Sequence, residues 1–206
     1  MFFSFEGIDG SGKSTQARLL SDALRQRGHR VVNVREPGGT ALGERVRALL
    51  LDIQLNVDPR AELLLFLSAR AQLVRSVIGP ALADGVVVVA DRFTDSSEAY
   101  QGGGRGIDES ASVAIADLNA FATGGLQPRR TYLVDLDPVT AAQRRNARHS
   151  ADRMESGGET FFDRVRASYL TLAHSDPARI VVVDGSKGQS ELSAIILNDA
   201  LSLLGD

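Results

Sequence analysis

With 206 residues, 43% of them hydrophobic and 24% charged, the chain is long enough to bury a core and has the make-up of a globular protein. Lys and Arg number 23 against 26 Asp and Glu, and a net charge of −3 gives no reason to expect a nucleic-acid partner. The lack of cysteine excludes disulfides and thiolate metal sites, and His29, His149 and His174 show no metal-ligand spacing, so they read as surface or helix-end residues.

The opening MFFSFEG has neither the basic lead nor the long apolar core of a signal peptide, and no apolar run approaches the ~18 residues of a membrane span. A cytoplasmic protein without membrane partners is expected. The first strand is Phe2–Phe5. Gly7-Ile8-Asp9-Gly10-Ser11-Gly12-Lys13-Ser14 follows and fits G-x-x-x-x-G-K-[ST] at every fixed position. A strand precedes it and an amphipathic helix, Thr15–Arg27, follows, with Ala17, Leu20 and Leu24 on one face and Gly28 as its stop. Glycines let backbone N–H groups turn inward around phosphate oxygens, and the helix N-terminus adds the positive end of its dipole. Lys13 supplies a point charge to the β- and γ-phosphates, and the Ser14 hydroxyl can join an Mg²⁺ shell. This loop is expected to hold a nucleoside triphosphate.

The second strand, Arg30–Val34, runs into Arg35-Glu36-Pro37-Gly38-Gly39-Thr40. Asp58-Pro59 opens the longest helix, extending to Ile78 and apolar over more than one stripe; a central core helix and a dimer interface both fit it. The third strand, Val86–Ala90, ends in Asp91-Arg92-Phe93-Thr94-Asp95-Ser96-Ser97-Glu98-Ala99-Tyr100-Gln101-Gly102. Asp91 stands where a carboxylate can organise a metal or cap the next turn. Arg35 and Arg92 both follow strands at the carboxyl edge, where open α/β sheets bind ligands, so a second anion beside the triphosphate is expected. Later helices fit Glu109–Phe121, Pro138–Arg148, Thr160–Ala173 and Ser190–Leu203, and later strands Thr131–Leu136 and Ile180–Val183. Alternating strands and helices predict a doubly wound α/β domain with a five-stranded parallel sheet, undivided over 1–206. Arg144, Arg145, Arg148 and Arg153 crowd the segment after the fourth strand. Such a charge run is usually a solvated helix face, yet bringing two polyanions together also demands positive charge.

The motifs FEGIDGSGKST, REPGGT, LLFLSAR, DRFTDSSEAYQGGGR, DR(M)E and VVDGS closely resemble the thymidylate kinase family, over almost the entire chain. The resemblance implies the P-loop nucleoside-monophosphate-kinase fold and Mg²⁺-dependent transfer of the γ-phosphoryl group of ATP to dTMP. Gly7 to Thr15, with Arg144, Asp184 and Ser186 at the adenine side, would bind ATP. Arg92 would grip the dTMP phosphate, Phe66 stack on thymine, and Arg70, one helical turn later, hydrogen-bond the base. Ser96, Ser97 and Gln101 would line that pocket, and Tyr100 would press on the sugar where a ribonucleotide carries its extra hydroxyl. Asp9 would position the acceptor or Mg²⁺, Glu36 the acceptor sugar, and Asp91 and Ser14 the metal. The segment 144–157 resembles the arginine-rich lid of the bacterial members. Gly10 leaves the loop without an arginine of its own, so Arg148, with Arg153 second, is expected to reach the transferring phosphoryl. Arg145, about 100° away around a helix, is expected to point elsewhere. The resemblance also implies a homodimer. The alternatives are a deoxynucleoside kinase, which would leave Arg35 and Arg92 unexplained, and a nucleotide-dependent switch.

Overall fold

The computed structural model describes residues 1–107, 114–147, 153 and 158–205. Five parallel strands, β1 (Phe2–Glu6), β2 (Val31–Arg35), β3 (Val87–Asp91), β4 (Arg130–Asp135) and β5 (Ile180–Asp184), lie in the order β2-β3-β1-β4-β5. The chain thus starts in mid-sheet, winds out to β2 and β3, then crosses to β4 and β5. The carboxyl end of β1, between β3 and β4, is the switch point where such sheets bind ligands.

Because side chains alternate along a strand, β1 serves two cores. Phe3 and Phe5 pack with Ala17, Leu20 and Leu24 of α1 (Lys13–Gln26) and Ile196 and Ala200 of α9 (Gln189–Leu204). Phe2, Ser4 and Glu6 share the opposite face. There Phe2 joins Val88, Ala90, Phe93 and Leu73, a residue of α3 (Pro59–Leu73). Farther along that side α8 (Glu159–Ser175) contributes Phe161, Phe162, Val165 and Tyr169. Helices therefore cover both faces, as the near-continuous apolar strands require. Among the described residues no helix is long and apolar enough to cross a membrane.

Several helices differ from the sequence reading. The Pro59–Ile78 helix starts as expected, with Asp58 capping the Arg60 amide at 2.9 Å and Pro59 in the first turn. It is α-helical only to Leu73, then π-helical over Val74–Ile78, and continues as α4 (Gly79–Ala83). Pro80 is the physical reason: it lacks an N–H, and its ring would crowd the carbonyl one turn back, so a wide turn clears it. Two stretches to which the sequence reading assigns no element are helical, namely α2 (Ala41–Leu51) and the run α5 (Thr94–Ser97) with the π-helical turn Glu98–Gly104. α6 covers Ile115–Thr123 and α7 Pro138–Asn146; the remainder of the expected Glu109–Phe121 and Pro138–Arg148 helices reaches outside the described residues, except that Ala147 is a turn residue and Ala114 is non-helical. His174 sits in the last turn of α8, as a helix-end residue, and His29 is half-buried. His149 lies outside the described residues.

Candidate active site

The phosphate loop leaves β1 and enters α1 at Gly12, whose φ of 101° only glycine adopts without strain. Among the described residues no side chain caps the first amides of α1, which leaves them available to an anion. A Cβ at Gly7 would stand 2.6 Å from the Val134 carbonyl oxygen, and one at Gly10 would collide with the Ala141 carbonyl. The loop is thus wedged between β4 and α7, with no room for a side chain at either glycine. Lys13, 6% exposed, donates to Asp9 Oδ1 at 3.1 Å.

Asp9 is the junction of two neighbourhoods. Its Oδ1 also accepts from Arg92 Nη2 at 2.6 Å, and its Oδ2 from the Tyr100 hydroxyl at 2.9 Å. Burial would raise the Asp9 carboxyl, but Arg92 and Lys13 outweigh it and hold the group far below the usual carboxylate range. On the Arg92 side a cavity is lined by Asp9, Glu36, Pro37, Arg47, Leu51, Phe66, Arg92, Ser96, Ser97, Tyr100 and Gln101. One wall is apolar (Phe66, Leu51), and the other carries a guanidinium and hydroxyls, a pattern that suits a flat ring bearing an anion. On the Lys13 side a second cavity is lined by Ser11, Gly12, Thr15, Gln16, Arg144, Gly185, Lys187, Gln189 and Leu192. A third cavity, along α1 and β2, is lined by Ser14, Arg35, Glu44 and Asp91 among others.

Arg92 owes its position to a carboxylate beneath it. Its backbone φ is 74°, a left-handed conformation that an arginine keeps only if its surroundings impose it. Glu6, fully buried, accepts from the Phe93 amide at 2.7 Å, the Ser96 hydroxyl at 2.6 Å and the Tyr169 hydroxyl at 2.8 Å. The same two hydroxyls receive Arg92 Nη1, at 3.0 and 3.2 Å. Burial, aided by the charge of Asp95, pushes Glu6 up to about 7 against the opposing pull of Arg92 and its hydroxyl partners.

Three comparisons bear on what this geometry serves. A family model described as thymidylate kinase matches residues 5–196. The chain belongs to the thymidylate kinase family. It is 47% identical over 196 residues to the thymidylate kinase of Thermosipho africanus, covering 95% of each chain. It is 46% identical over 196 residues to that of Deinococcus radiodurans, covering 95% of this chain and 94% of the relative. A crystal structure of thymidylate kinase from Ehrlichia chaffeensis superposes with a TM-score of 0.78 at 35% identity, covering 97% of each chain. The P-loop nucleoside-monophosphate-kinase fold is therefore established, and the chain is a phosphotransferase of that class.

The residues expected from the family motifs are distributed as follows. Asp9, Glu36, Phe66, Arg92, Ser96, Ser97, Tyr100 and Gln101 line one cavity, drawn there from the phosphate loop, β2, α3 and the helical run after β3. Arg70 does not line it. Its guanidinium, 1% exposed, is enclosed by Glu36 (2.7 Å), Ser97 (2.9 Å), Asn119 (2.5 Å) and the Phe93 carbonyl (2.9 Å), so it stands behind the wall. That leaves Glu36 with Oε2 occupied and a buried Oε1 without a partner among the described residues. Burial raises the Glu36 carboxyl against the pull of Arg70. Arg35 turns away from the acceptor cavity, paired with Glu44 at 3.0 Å on the third cavity. Arg144 lines the donor side and bonds the Gly185 carbonyl at 3.2 Å, whereas the Asp184 carboxylate caps Ser186 within its own turn and neither lines that cavity.

Two arginines depart from expectation. Arg145 does not point away: its Nη1 donates to the Asp9 carbonyl at 2.6 Å, and its guanidinium lies 4.1 Å from the centre of the Phe162 ring. Arg153 bonds Glu62 at 2.8 Å and the Leu50 carbonyl at 2.8 Å. Arg148 lies outside the described residues. Sequence reasoning missed Glu6, Arg47, Glu62 and Tyr169. A carboxylate inside an apolar strand was the available signal for Glu6, since a buried charge requires partners.

The metal residues meet a partial test. Asp91 Oδ1 is buried with no partner among the described residues, and Ser14 shares its cavity. No cluster of three His, Cys, Asp or Glu side chains forms a metal cage among the described residues. A hard ion held by few protein oxygens and completed by phosphates is the pattern that suits Mg²⁺.

Proposed function

We propose that the chain transfers the γ-phosphoryl group of ATP to dTMP, giving dTDP and ADP. In this reading ATP occupies the phosphate loop and the Arg144–Lys187 cavity, and dTMP occupies the cavity between Phe66 and Arg92. The observation that carries it is the Asp9 carboxylate, which contacts both Lys13, on the donor side, and Arg92, on the acceptor side. Donor and acceptor phosphates would thus meet over one rigid junction, and catalysis is positioning plus charge neutralisation with no covalent intermediate. Phe66 would stack on the base, and the Tyr100 ring, fixed by its hydroxyl to Asp9 and Arg92, would exclude a ribose 2′-hydroxyl. Glu36 Oε1, the open acceptor on the wall, would receive the sugar hydroxyl. Arg148 would reach the transferring group from the segment 144–157. Ser14 and Asp91 would hold Mg²⁺, which would neutralise charge on the donor phosphates. We place this single-domain enzyme in the cytoplasm as a homodimer. A deoxynucleoside kinase would give Arg92 no acceptor phosphate to bind, and nothing favours a switch.

The test is ADP release with dTMP, dUMP, thymidine or no acceptor. Rapid turnover is expected with dTMP and little with thymidine or without acceptor. Lys13→Ala should remain folded and lose turnover. A folded Lys13→Ala protein with near-native activity would sink the assignment of the loop.

A further inference from the structure

Glu62 lies on α3, 1% exposed, behind the acceptor cavity and not on its wall. Its carboxylate receives Gln101 Nε2 at 2.9 Å, Arg105 Nε at 3.2 Å and Nη2 at 3.3 Å, and Arg153 Nη2 at 2.8 Å. A carboxylate paired with two guanidinium groups only accepts hydrogen bonds. This matters for Gln101, because a terminal amide has a donating and an accepting end of nearly equal shape, and only its neighbours decide which faces a ligand. Facing Glu62 with its oxygen would set two acceptors against each other; facing it with nitrogen makes a bond. The amide is therefore held with nitrogen inward. Its carbonyl oxygen has no partner among the described residues, although Gln101 is 1% exposed and lines the cavity.

We propose that Glu62 is a specificity-determining residue: by fixing the Gln101 amide it makes the acceptor cavity present a hydrogen-bond acceptor to the base. A pyrimidine whose facing ring nitrogen carries hydrogen, as thymine and uracil do, satisfies that oxygen. Cytosine turns an unprotonated nitrogen to it, leaving two buried acceptors opposed. Arg105 and Arg153 complete the device by holding the carboxylate in place from its far side. The inference rests on the reading of this cavity as the dTMP site.

The experiment compares kcat/KM for dTMP and dCMP in the wild type, Glu62→Gln, Gln101→Met and the double variant. A glutamine at 62 can donate as well as accept, so Gln101 becomes free to turn over. Sites built to hydrogen-bond a group discriminate strongly against analogues that cannot match it. The dTMP-to-dCMP ratio is expected to fall by on the order of tenfold or more in Glu62→Gln. Gln101→Met leaves the Glu62 ion pairs untouched and should lower the ratio as well. The double variant should match Gln101→Met alone, since Glu62 acts through Gln101. If Glu62→Gln slows both acceptors equally, or if Gln101→Met keeps the full ratio, the inference is wrong and Glu62 only anchors its arginines. Wild-type protein inactive on dTMP would instead overturn the reading of the cavity, and this inference with it.

Discussion

At the scale of single residues, the instructive case is Arg145. Spacing arguments placed Arg144 and Arg148 on the working face of the segment and Arg145 off it, because they took register from the arginines themselves. The structure sets register differently. Ala141 packs its backbone onto Gly10, and Arg145, one turn later on the same face, falls onto the Asp9 carbonyl and the Phe162 ring. Asp9 in turn orients Lys13 and Arg92. Arg145→Ala is therefore expected to lower kcat by about 10- to 100-fold, since small misplacements at a reacting centre have effects of that size. The melting temperature should barely change, because the guanidinium is only part-buried. Steady-state kinetics beside a thermal melt checks both; native kcat in a folded variant would remove Arg145 from the phosphate loop's support. Lys13 and Asp9 were legible because their motif is local. Glu6 and Tyr169, 163 positions apart, meet only because β1 turns Glu6 toward α8, and no local pattern encodes that meeting.

Elements divide along the same line. The strands were readable from their continuous apolar runs, α1 from its glycine stop and α3 from its Asp58-Pro59 start; the cap of α7, Asp137, which accepts from the Thr140 amide at 2.8 Å, emerges only in the structure. The run Thr94–Gly104 was not readable, since TDSSEAYQGGG has the composition of a loop. Its glycines are required by packing against α8: a Cβ at Gly103 would sit 2.6 Å from the Ser168 Cβ, and one at Gly104 would sit 2.6 Å from the Phe161 ring. Helix α2 did carry a signal, Thr40 ahead of Val46 and Leu50, which the preceding glycines obscured. Thr40 Oγ1 accepts from the Gly43 amide at 2.9 Å, and the helix delivers Arg47 and Leu51 to the acceptor cavity. Thr40→Ala should cost about 1 kcal/mol, the usual worth of an N-cap, and lower the melting temperature by roughly 2–4 °C. The KM for dTMP should rise while that for ATP holds. Equal changes in both constants would mean that α2 does not act on the acceptor side alone.

For the whole molecule, the apolar surface left uncovered is the informative feature. Helix α3 looked apolar nearly all round, and a helix of that kind is normally enclosed. Within this chain it is not: Leu64 remains 59% exposed, and the neighbouring helices α2 and α6 bring Leu49 at 48% and Phe121 at 90%. Scattered exposed apolar residues need no explanation, but large ones on three helices packed side by side suit a surface buried in a partner. A second copy of the chain fits the homodimer proposed above, because an isologous contact needs one self-complementary patch. None of the three residues lines the acceptor or donor cavity, so their replacement leaves the chemistry in place. Leu64→Glu with Phe121→Glu should therefore give a folded monomer at micromolar concentration, at which the wild type is expected to sediment or scatter light as a dimer. Two buried like charges facing their symmetry mates disfavour association strongly. A monomeric wild type, or a double variant that stays dimeric, would move the interface elsewhere or abolish it. Activity of the monomer decides a further point: turnover on dTMP that survives separation of the subunits would show that one chain supplies the whole site, and loss of turnover in a folded monomer would show that the partner contributes to it.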